Sequence, residues 1–461
     1  MLRVFFLSIL VVGTLLFIAG MSQQNEVCTD CNVILISLDS VRTDMVGVYG
    51  SLWNATPALD AFSKDALVFE NAYSTTSYTL PAHASMLTGL YPLTHGIFHD
   101  ITQECEGVQC VRDIHDPMMQ DLLKKQGYAT AGFVSGAYVS EAFGFSKGFD
   151  TYQNHLQPEV EHFNTITSQI ITQKGIEWMD AHKNRSFFLF LHYFDPHYNY
   201  LANKTYPHDV LPSYAGDLQA LDGVINRDGE WTINKTISSE DREYVFANYA
   251  GDLAYTDAYI KRVIEYLKAE GLYEKTILII TSDHGDEFFE HGSIGHKGTL
   301  YAPVHHIPLI VRVPGITARR VRQLVSHVDI LPTVLLALNF SNTTPIEGVS
   351  LLTPLPERII YQDYLDKSGV NNSGAHWCDD TQCFTYVHAN GSQPELYDIT
   401  RDPQESQNIY ETSLNKVSAL EQHLANRRAS VNLTAIINLT DDGNGARLAI
   451  LLDEMGFNPQ G

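Results

Sequence analysis

Basic residues are scarce in this chain: 30 Lys and Arg stand against 54 Asp and Glu, a formal net charge of −24 over 461 residues. A surface of that sign repels phosphate backbones and anionic lipid headgroups, so nucleic acid is excluded as a partner class. Internal repeats and low-complexity stretches are also lacking, which argues against a solenoid or a linker-rich scaffold. No Cys follows the N-terminal apolar run closely enough to carry a lipoprotein anchor. What is present, 44% hydrophobic and 18% charged residues, is the composition of a globular chain. Its length predicts one large α/β domain with a smaller appended one.

The N-terminus reads as a targeting segment over residues 1–22. Arg3 precedes an apolar run of 17 residues, Val4 to Gly20, intermediate between a signal-peptide core and a minimal transmembrane helix. Export is therefore expected, to a secreted or cell-surface location, with an uncleaved N-terminal membrane anchor as the alternative. Ten Asn-X-Ser/Thr sequons agree with a glycosylating compartment: Asn54, Asn184, Asn203, Asn234, Asn339, Asn342, Asn371, Asn390, Asn432 and Asn438. Six cysteines fall in three close pairs, Cys28/Cys31, Cys105/Cys110 and Cys378/Cys383. In an exported chain these read as disulfide partners, with a zinc site built from two pairs as the rival; spacing alone leaves the connectivity open.

Apolar runs at Val33 to Leu38, Phe187 to Leu191, Ile277 to Ile280 and Pro308 to Val313 predict buried parallel strands. Helical patterns lie at Pro117 to Gln126, Val160 to Asp180, Ser239 to Glu270 and Asp329 to Leu338. Three of the strands run straight into polar groups: Asp39; His192 with Asp195 and His197; and Asp283 with His284. Ligand crevices in open α/β sheets lie at the carboxyl ends of strands, so these groups are expected to converge. Beyond about residue 345 the pieces shorten to Arg358 to Tyr364, Phe384 to His388 and Leu396 to Ile399, then a helical segment from Leu414 to Arg427. The expected layout is a catalytic domain over 32–345, a small α+β subdomain over 346–412, and a helical segment and tail over 413–461.

Chemistry concentrates around Thr79. Pro81 suits the first position of a short helix, which would set the Thr79 hydroxyl where orphan backbone N–H groups collect and an anion is favoured. Asp39, Thr79, Asp283 and His284 together offer two carboxylates, a hydroxyl and an imidazole. That set suits one divalent cation, with Thr79 as both ligand and nucleophile. Its oxygens fit Ca, Mg or Mn, and His284 keeps Zn open. Asp252 and Asp257, on the long helical stretch, are expected to pack or to support the site from behind.

These segments carry a resemblance. Asn32 to Asp39, Thr56-Pro57-Ala58-Leu59-Asp60, Thr79-Leu80-Pro81-Ala82-His83 through Leu87-Thr88-Gly89, Asp195-Pro196-His197, Ser282-Asp283-His284-Gly285, Lys297-Gly298-Thr299-Leu300-Tyr301, and Glu395-Leu396-Tyr397-Asp398 with Asp402-Pro403 resemble the sulfatase family of the alkaline phosphatase superfamily, from Asn32 to Tyr410. The resemblance implies a three-layer sandwich around a central, mostly parallel sheet. It implies Asp39, Asp283 and His284 as metal ligands, Thr79 as nucleophile, and His197 and Lys297 as contacts to an anionic ester. His296 and His83 follow as further site residues, His83 at the position of the family's Arg. Ser40 stands where many members carry a second metal-binding Asp.

Two departures shape the expected function. Family members carry Cys or Ser at the Thr79 position and convert it to formylglycine; the β-methyl of Thr79 closes that route. The family's Lys-Trp-His segment is missing from Gly127 to Gly136. A Thr nucleophile also resembles the superfamily's phosphodiesterases and phosphotransferases, which pass through a phospho-Thr. The leading expectation is an exported ester hydrolase for sulfate, phosphate or phosphonate esters of a glycan, lipid or small molecule. Alternatives are a membrane-associated phosphotransferase and a non-catalytic relative.

Overall fold

Every residue of the strand Asn32–Leu38 is buried, and its alternate side chains enter two separate cores. Ile34, Ile36 and Leu38 pack with Leu189 and Leu191 on one face, while Val33 and Leu35 pack with Phe188 and Phe190 on the other. A strand apolar on both faces must be covered on both, and each fully buried aliphatic side chain contributes roughly 1.5–3 kcal/mol. A computed structural model describes residues 28–430 apart from 98–102, 106–107, 111–113, 115, 156–165, 198–199, 201–213, 215–237, 293, 297, 342, 366–370, 380 and 390.

The strands in chain order are β1 (Asn32–Leu38), β2 (Leu67–Tyr73), β3 (Gln103–Cys105), β4 (Val108–Cys110), β5 (Ala129–Val134), β6 (Thr151–Asn154), β7 (Phe187–Tyr193), β8 (Thr276–Ser282), β9 (Glu287–Phe288), β10 (Ile294–Gly295), β11 (Leu309–Arg312), β12 (Arg319–Ser326), β13 (Ile360–Leu365), β14 (Asn371–Cys378), β15 (Cys383–His388) and β16 (Glu395–Asp398). Eight of them form one sheet in the order β12-β2-β11-β8-β1-β7-β5-β6. Helices Pro57–Phe62, Ser168–His182 and Ser239–Ala269 cover one face; Thr79–Thr88, Met119–Lys125 and Ile330–Ala337 cover the other. This is the expected α/β three-layer sandwich.

One strand runs against expectation. The segment Pro308 to Val313 does form a buried strand, β11, but it is antiparallel to both β8 and β2 rather than parallel. A parallel return needs a crossover long enough to recross the sheet, usually a helix. Between β8 and β11 the described chain has only the short β9–β10 hairpin and the four-residue helix Ala302–His305, so it re-enters from the edge it left.

Toward the C-terminus, β13-β14-β15-β16 make a separate antiparallel sheet. The helix Leu414–Ser430 lends it Val417, Leu420 and Leu424, spaced to share one helical face, against Phe384, Tyr386 and Leu396. Cys28–Cys31 and Cys378–Cys383 are disulfide-bonded; the side chains of Cys105 and Cys110 lie outside the described residues. The N-terminal targeting segment also lies outside them, and among the described residues no helix is long and apolar enough to cross a membrane.

Candidate active site

Strand register builds the centre of the site. Leu38 on β1 is paired with Ser282 on β8 and with Tyr193 on β7, so the next residues, Asp39 and Asp283, leave adjacent strands side by side. Ser40 then turns the chain with φ of 59°, a left-handed conformation uncommon for a side chain larger than Gly. In that turn its backbone N–H donates to Asp283 Oδ1 (3.0 Å) and its hydroxyl donates to Asp39 Oδ1 (3.0 Å). His284 N–H also donates to Asp283 Oδ1 (2.8 Å). Each carboxylate thus has one oxygen tied down. The other two, Asp39 Oδ2 and Asp283 Oδ2, are buried without a hydrogen-bond partner.

His284 Nδ1 donates to the carbonyl of Gly285 (3.0 Å), which leaves Nε2 as the lone-pair nitrogen. That Nε2 lies 3.5 Å from Asp283 Oδ2, and donor atoms of Asp39, Asp283 and His284 all lie within 4.8 Å of one another. Gly285 is required here, since a β-carbon would stand 2.2 Å from the carbonyl oxygen of Pro303.

Thr79 closes the cluster from the other core. Its Oγ1 is 3.3 Å from His284 Nε2. The helix begins at Thr79 itself, with Tyr78 as its N-cap, so Pro81 occupies the third position rather than the first. The shift is tolerated because the opening N–H groups of a helix have no intrahelical acceptor to lose. One turn on, His83 is fully buried and bonded at both nitrogens, Nδ1 to the Thr79 carbonyl (2.7 Å) and Nε2 to Ser37 Oγ (2.8 Å). His83 therefore holds the helix start against β1 and offers no nitrogen to the crevice.

The β9–β10 hairpin makes a second group. Glu287 pairs with Gly295, so the flanking residues Asp286 and His296 meet, Oδ1 to Nδ1 at 2.6 Å. Tyr200 donates to Asp286 Oδ2 (2.6 Å). The His296 ring lies 4.1 Å from that of His284 and 5.4 Å from that of His197, centroid to centroid, while Phe194 stacks on His197 at 4.5 Å. His284, Asp286 and His296 also fall within metal-ligating distance of one another, sharing His284 with the first group. Lys297 lies outside the described residues, as does most of the loop from Tyr198 to Asp228.

Several neighbours are scaffold. Asp195 accepts from the backbone N–H groups of Thr167 (2.6 Å) and Ser168 (2.7 Å), capping the helix Ser168–His182. Asp257 likewise holds Ala58 N (2.8 Å) and Leu59 N (3.0 Å) at the start of Pro57–Phe62, and Asp252 is buried on the same long helix. His291 bonds Glu287 (2.6 Å) and stacks on Tyr301 at 3.7 Å.

Burial sets the electrostatics. It pushes Asp39 well above the usual carboxylate range, with Asp283 adding to the push. Burial acts on Asp283 in the same sense, but the imidazoles of His284, His83 and His192 outweigh it and hold Asp283 low. Burial takes His83 down to about 3 and His192 down to about 4, and it pushes Asp286 up to about 6. Two buried carboxylates cannot both stay ionised in apolar surroundings without a compensating charge. Asp39, Asp283 and His284 would hold a divalent cation that would supply that charge, so the donor set fits the metal of the expected chemistry.

The chain is similar to known proteins over most of its length. Residues 31–340 match the sulfatase family model, and residues 290–431 match the model for the C-terminal part of N-sulphoglucosamine sulphohydrolase. The chain is similar to an ulvan-active sulfatase of Formosa agariphila, 24% identical, covering 86% of this chain and 81% of that one. It is also similar to arylsulfatase K of Gallus gallus, 24% identical over 93% and 87% of the two chains. Among solved structures, the phosphonate monoester hydrolase of Agrobacterium radiobacter superposes with a TM-score of 0.68 at 21% identity, over 88% of this chain and 96% of that one. A 2-O GAG sulfatase superposes with a TM-score of 0.68 at 19% identity, over 91% and 99%. The chain belongs to the sulfatase family of the alkaline phosphatase superfamily.

Proposed function

We propose that this chain is an exported, metal-dependent ester hydrolase whose nucleophile is the Thr79 hydroxyl, acting on sulfate, phosphate or phosphonate esters. The observation that carries the reading is the position of Thr79 Oγ1, 3.3 Å from His284 Nε2, which itself lies 3.5 Å from the unpartnered Asp283 Oδ2. Asp39, Asp283, His284 and Thr79 would hold one divalent ion, which supplies Lewis-acid polarisation and charge neutralisation when bound. The remaining work falls to the chain's own residues.

Thr79 Oγ1 forms a bond to phosphorus or sulfur and gives its proton to solvent, while the ester P–O or S–O bond breaks and its oxygen takes up a proton and leaves as an alcohol. Water then attacks the same phosphorus or sulfur, the bond to Oγ1 breaks, Oγ1 regains a proton, and sulfate, phosphate or the phosphonate is released. A formylglycine hydrate expels sulfate by collapsing to an aldehyde, whereas a Thr adduct must wait for attack by water. Phosphoryl centres accept such double displacement through positioning and charge stabilisation, which supports phosphate and phosphonate esters alongside sulfate. The relatives named as sulfatases support a sulfate ester. Asp286 bonds His296 Nδ1 and orients the ring, and His296, His197 and Lys297 are the proposed contacts to the anionic ester. His83 supports Thr79 through its carbonyl.

Export is supported by the exposure of Asn54, Asn184 and Asn339, the sequon asparagines whose side chains are described. The test is a side-by-side assay of aryl sulfate, phosphomonoester, phosphodiester and phosphonate substrates with Mg, Mn, Ca and Zn. Phosphate or phosphonate turnover at least equal to sulfate turnover is expected. Efficient, Thr79-dependent turnover of sulfate alone would sink the phosphoryl reading. The phosphotransferase alternative, motivated by the N-terminal apolar run, predicts transfer to an added alcohol acceptor outrunning hydrolysis. The non-catalytic alternative predicts that wild type and Thr79→Ala are equally inactive on every substrate.

A further inference from the structure

Tyr200 is a bulky residue in a conformation that bulky residues avoid. Its φ is 45°, in the left-handed region where a β-carbon crowds the backbone. The side chain is buried, with its ring 5.3 Å from Tyr249 and 5.2 Å from Phe288, centroid to centroid. A Phe would fill the same aromatic pocket; what the hydroxyl adds is a bond donated to Asp286 Oδ2 (2.6 Å). Backbone strain of this kind persists where the surroundings over-determine it, and it collects at functional sites. The strained backbone and the buried hydroxyl point to the same requirement, a donor fixed on Asp286.

Asp286 passes the constraint on. It is buried, and its Oδ1 bonds His296 Nδ1 (2.6 Å) while Oδ2 accepts from Tyr200. A carboxylate bonded at one oxygen can still turn about its Cβ–Cγ bond; bonded at both, its plane is fixed. The backbone alone holds His296 weakly, because the β9–β10 hairpin that precedes it has two residues per strand. The orientation of its ring therefore depends on side-chain bonds. Tyr200 also follows His197 by three residues, and the His197 ring stands 5.4 Å from that of His296. Tyr249 ties the same pocket to the turn after Asp39: its hydroxyl donates to the Ser40 carbonyl (2.7 Å) and accepts from the Arg42 N–H (2.9 Å).

We propose that Tyr200 is a positioning residue of the hydrolytic site: its hydroxyl locks Asp286, and through Asp286 the ring of His296, in the orientation that meets the anionic ester. The segment that supplies His197 thereby also sets the second histidine, so the two contacts to the ester are aligned together. The inference rests on the ester-contact role of His296 given above and goes further by naming the residue that fixes it. Tyr200 does not touch the ester; its effect on the reaction runs through His296.

The experiment is a double-mutant cycle in the full-length chain: Tyr200→Phe, His296→Ala and the two combined. The assay uses whichever p-nitrophenyl ester wild type turns over fastest, the sulfate, the phosphate or the phenylphosphonate, at saturating metal ion. Tyr200→Phe keeps the ring in its pocket and removes only the hydroxyl. It should lower kcat by about tenfold or more while KM stays within about threefold, because a misaligned contact costs rate more than binding. In the His296→Ala background the same substitution should change kcat by less than about twofold, since the ring it positions is gone. Equal losses in both backgrounds would show that Tyr200 acts by another route and would overturn the proposal; so would a wild-type kcat in Tyr200→Phe. Either result leaves the hydrolase reading intact, whereas a wild-type chain inactive on all three esters removes that reading and this inference with it. Should Tyr200→Phe fail to fold, a crystal structure of wild type with bound inorganic phosphate decides. His296 within hydrogen-bond distance of the anion, with both Asp286 bonds in place, supports the proposal, and His296 turned away from the anion refutes it.

Discussion

Ser40 donates its hydroxyl to Asp39 Oδ1 at 3.0 Å from a residue whose own φ is 59°. The same residue's N–H holds Asp283 Oδ1, so one strained position aligns two carboxylates. A left-handed conformation costs a non-Gly residue roughly 1 kcal/mol, and such strain persists where the surroundings enforce it. Ser40→Ala keeps the strain and loses the hydroxyl bond; Ser40→Gly loses the bond and relieves the strain. Both should weaken metal binding by roughly tenfold or more. Only Ser40→Ala should also lower the melting temperature of the metal-free protein, measured by calorimetry against wild type.

Replacing Thr79 separates a nucleophile from a bystander. Thr79→Ala should reduce kcat/KM by about 10³-fold or more, while Thr79→Ser, which keeps an oxygen in place, should stay within about tenfold of wild type. Rapid quench followed by intact mass spectrometry should find one phosphoryl or sulfuryl group on the wild-type chain and none on Thr79→Ala. An unmodified wild-type chain during turnover would count against the covalent route.

Metal removal should cost stability as well as activity. An ion held at 100 times its dissociation constant adds about 2.7 kcal/mol to the folded state. Adding zinc, manganese or magnesium to chelator-treated protein should raise its melting temperature for the ions that bind. Asp283→Asn, which lacks one of the two unpartnered carboxylate oxygens, should respond far less to the same additions.

The residues legible in the sequence were those carried by short motifs at strand ends: Asp39, Thr79, Asp283 and His284 come together as expected. His197 and His296 also gather near them. What stayed hidden depends on register and direction. The apolar run of β11 reads the same whether the strand is parallel or antiparallel, and only the short connection from β8 decides. His192 was visible as a polar residue at a strand end, but its pairing with Asp39 follows from Ser37 lying opposite it on β1. Asp286 and Tyr200 carried no signal, because the β9–β10 hairpin that sets Asp286 against His296 is only two residues per strand. Ser40 was visible only as a departure from a family pattern; its hydrogen bonds explain the replacement.

Stability should fall as pH rises through neutrality, and Glu405 is the residue to test. It is buried, accepts from the Ala302 N–H (2.6 Å), and lies two residues beyond Asp402-Pro403, outside the metal cluster. Burial pushes its carboxyl up to about 7, with Glu287 adding to the push and Ala302 and His291 opposing it. In the unfolded chain a Glu titrates near 4.3, so between about 4.3 and 7 the folded state binds the extra proton. The contribution of neutral Glu405 is therefore complete below about pH 4.3 and is lost as pH climbs through 7. His291, raised by its contact with Glu287 against the effect of burial, changes stability in the same direction. Glu405→Gln keeps the shape and cannot ionise. Its melting temperature should exceed that of wild type at about pH 8, with the gap closing toward pH 5; a gap independent of pH would show that Glu405 is already ionised in the folded protein.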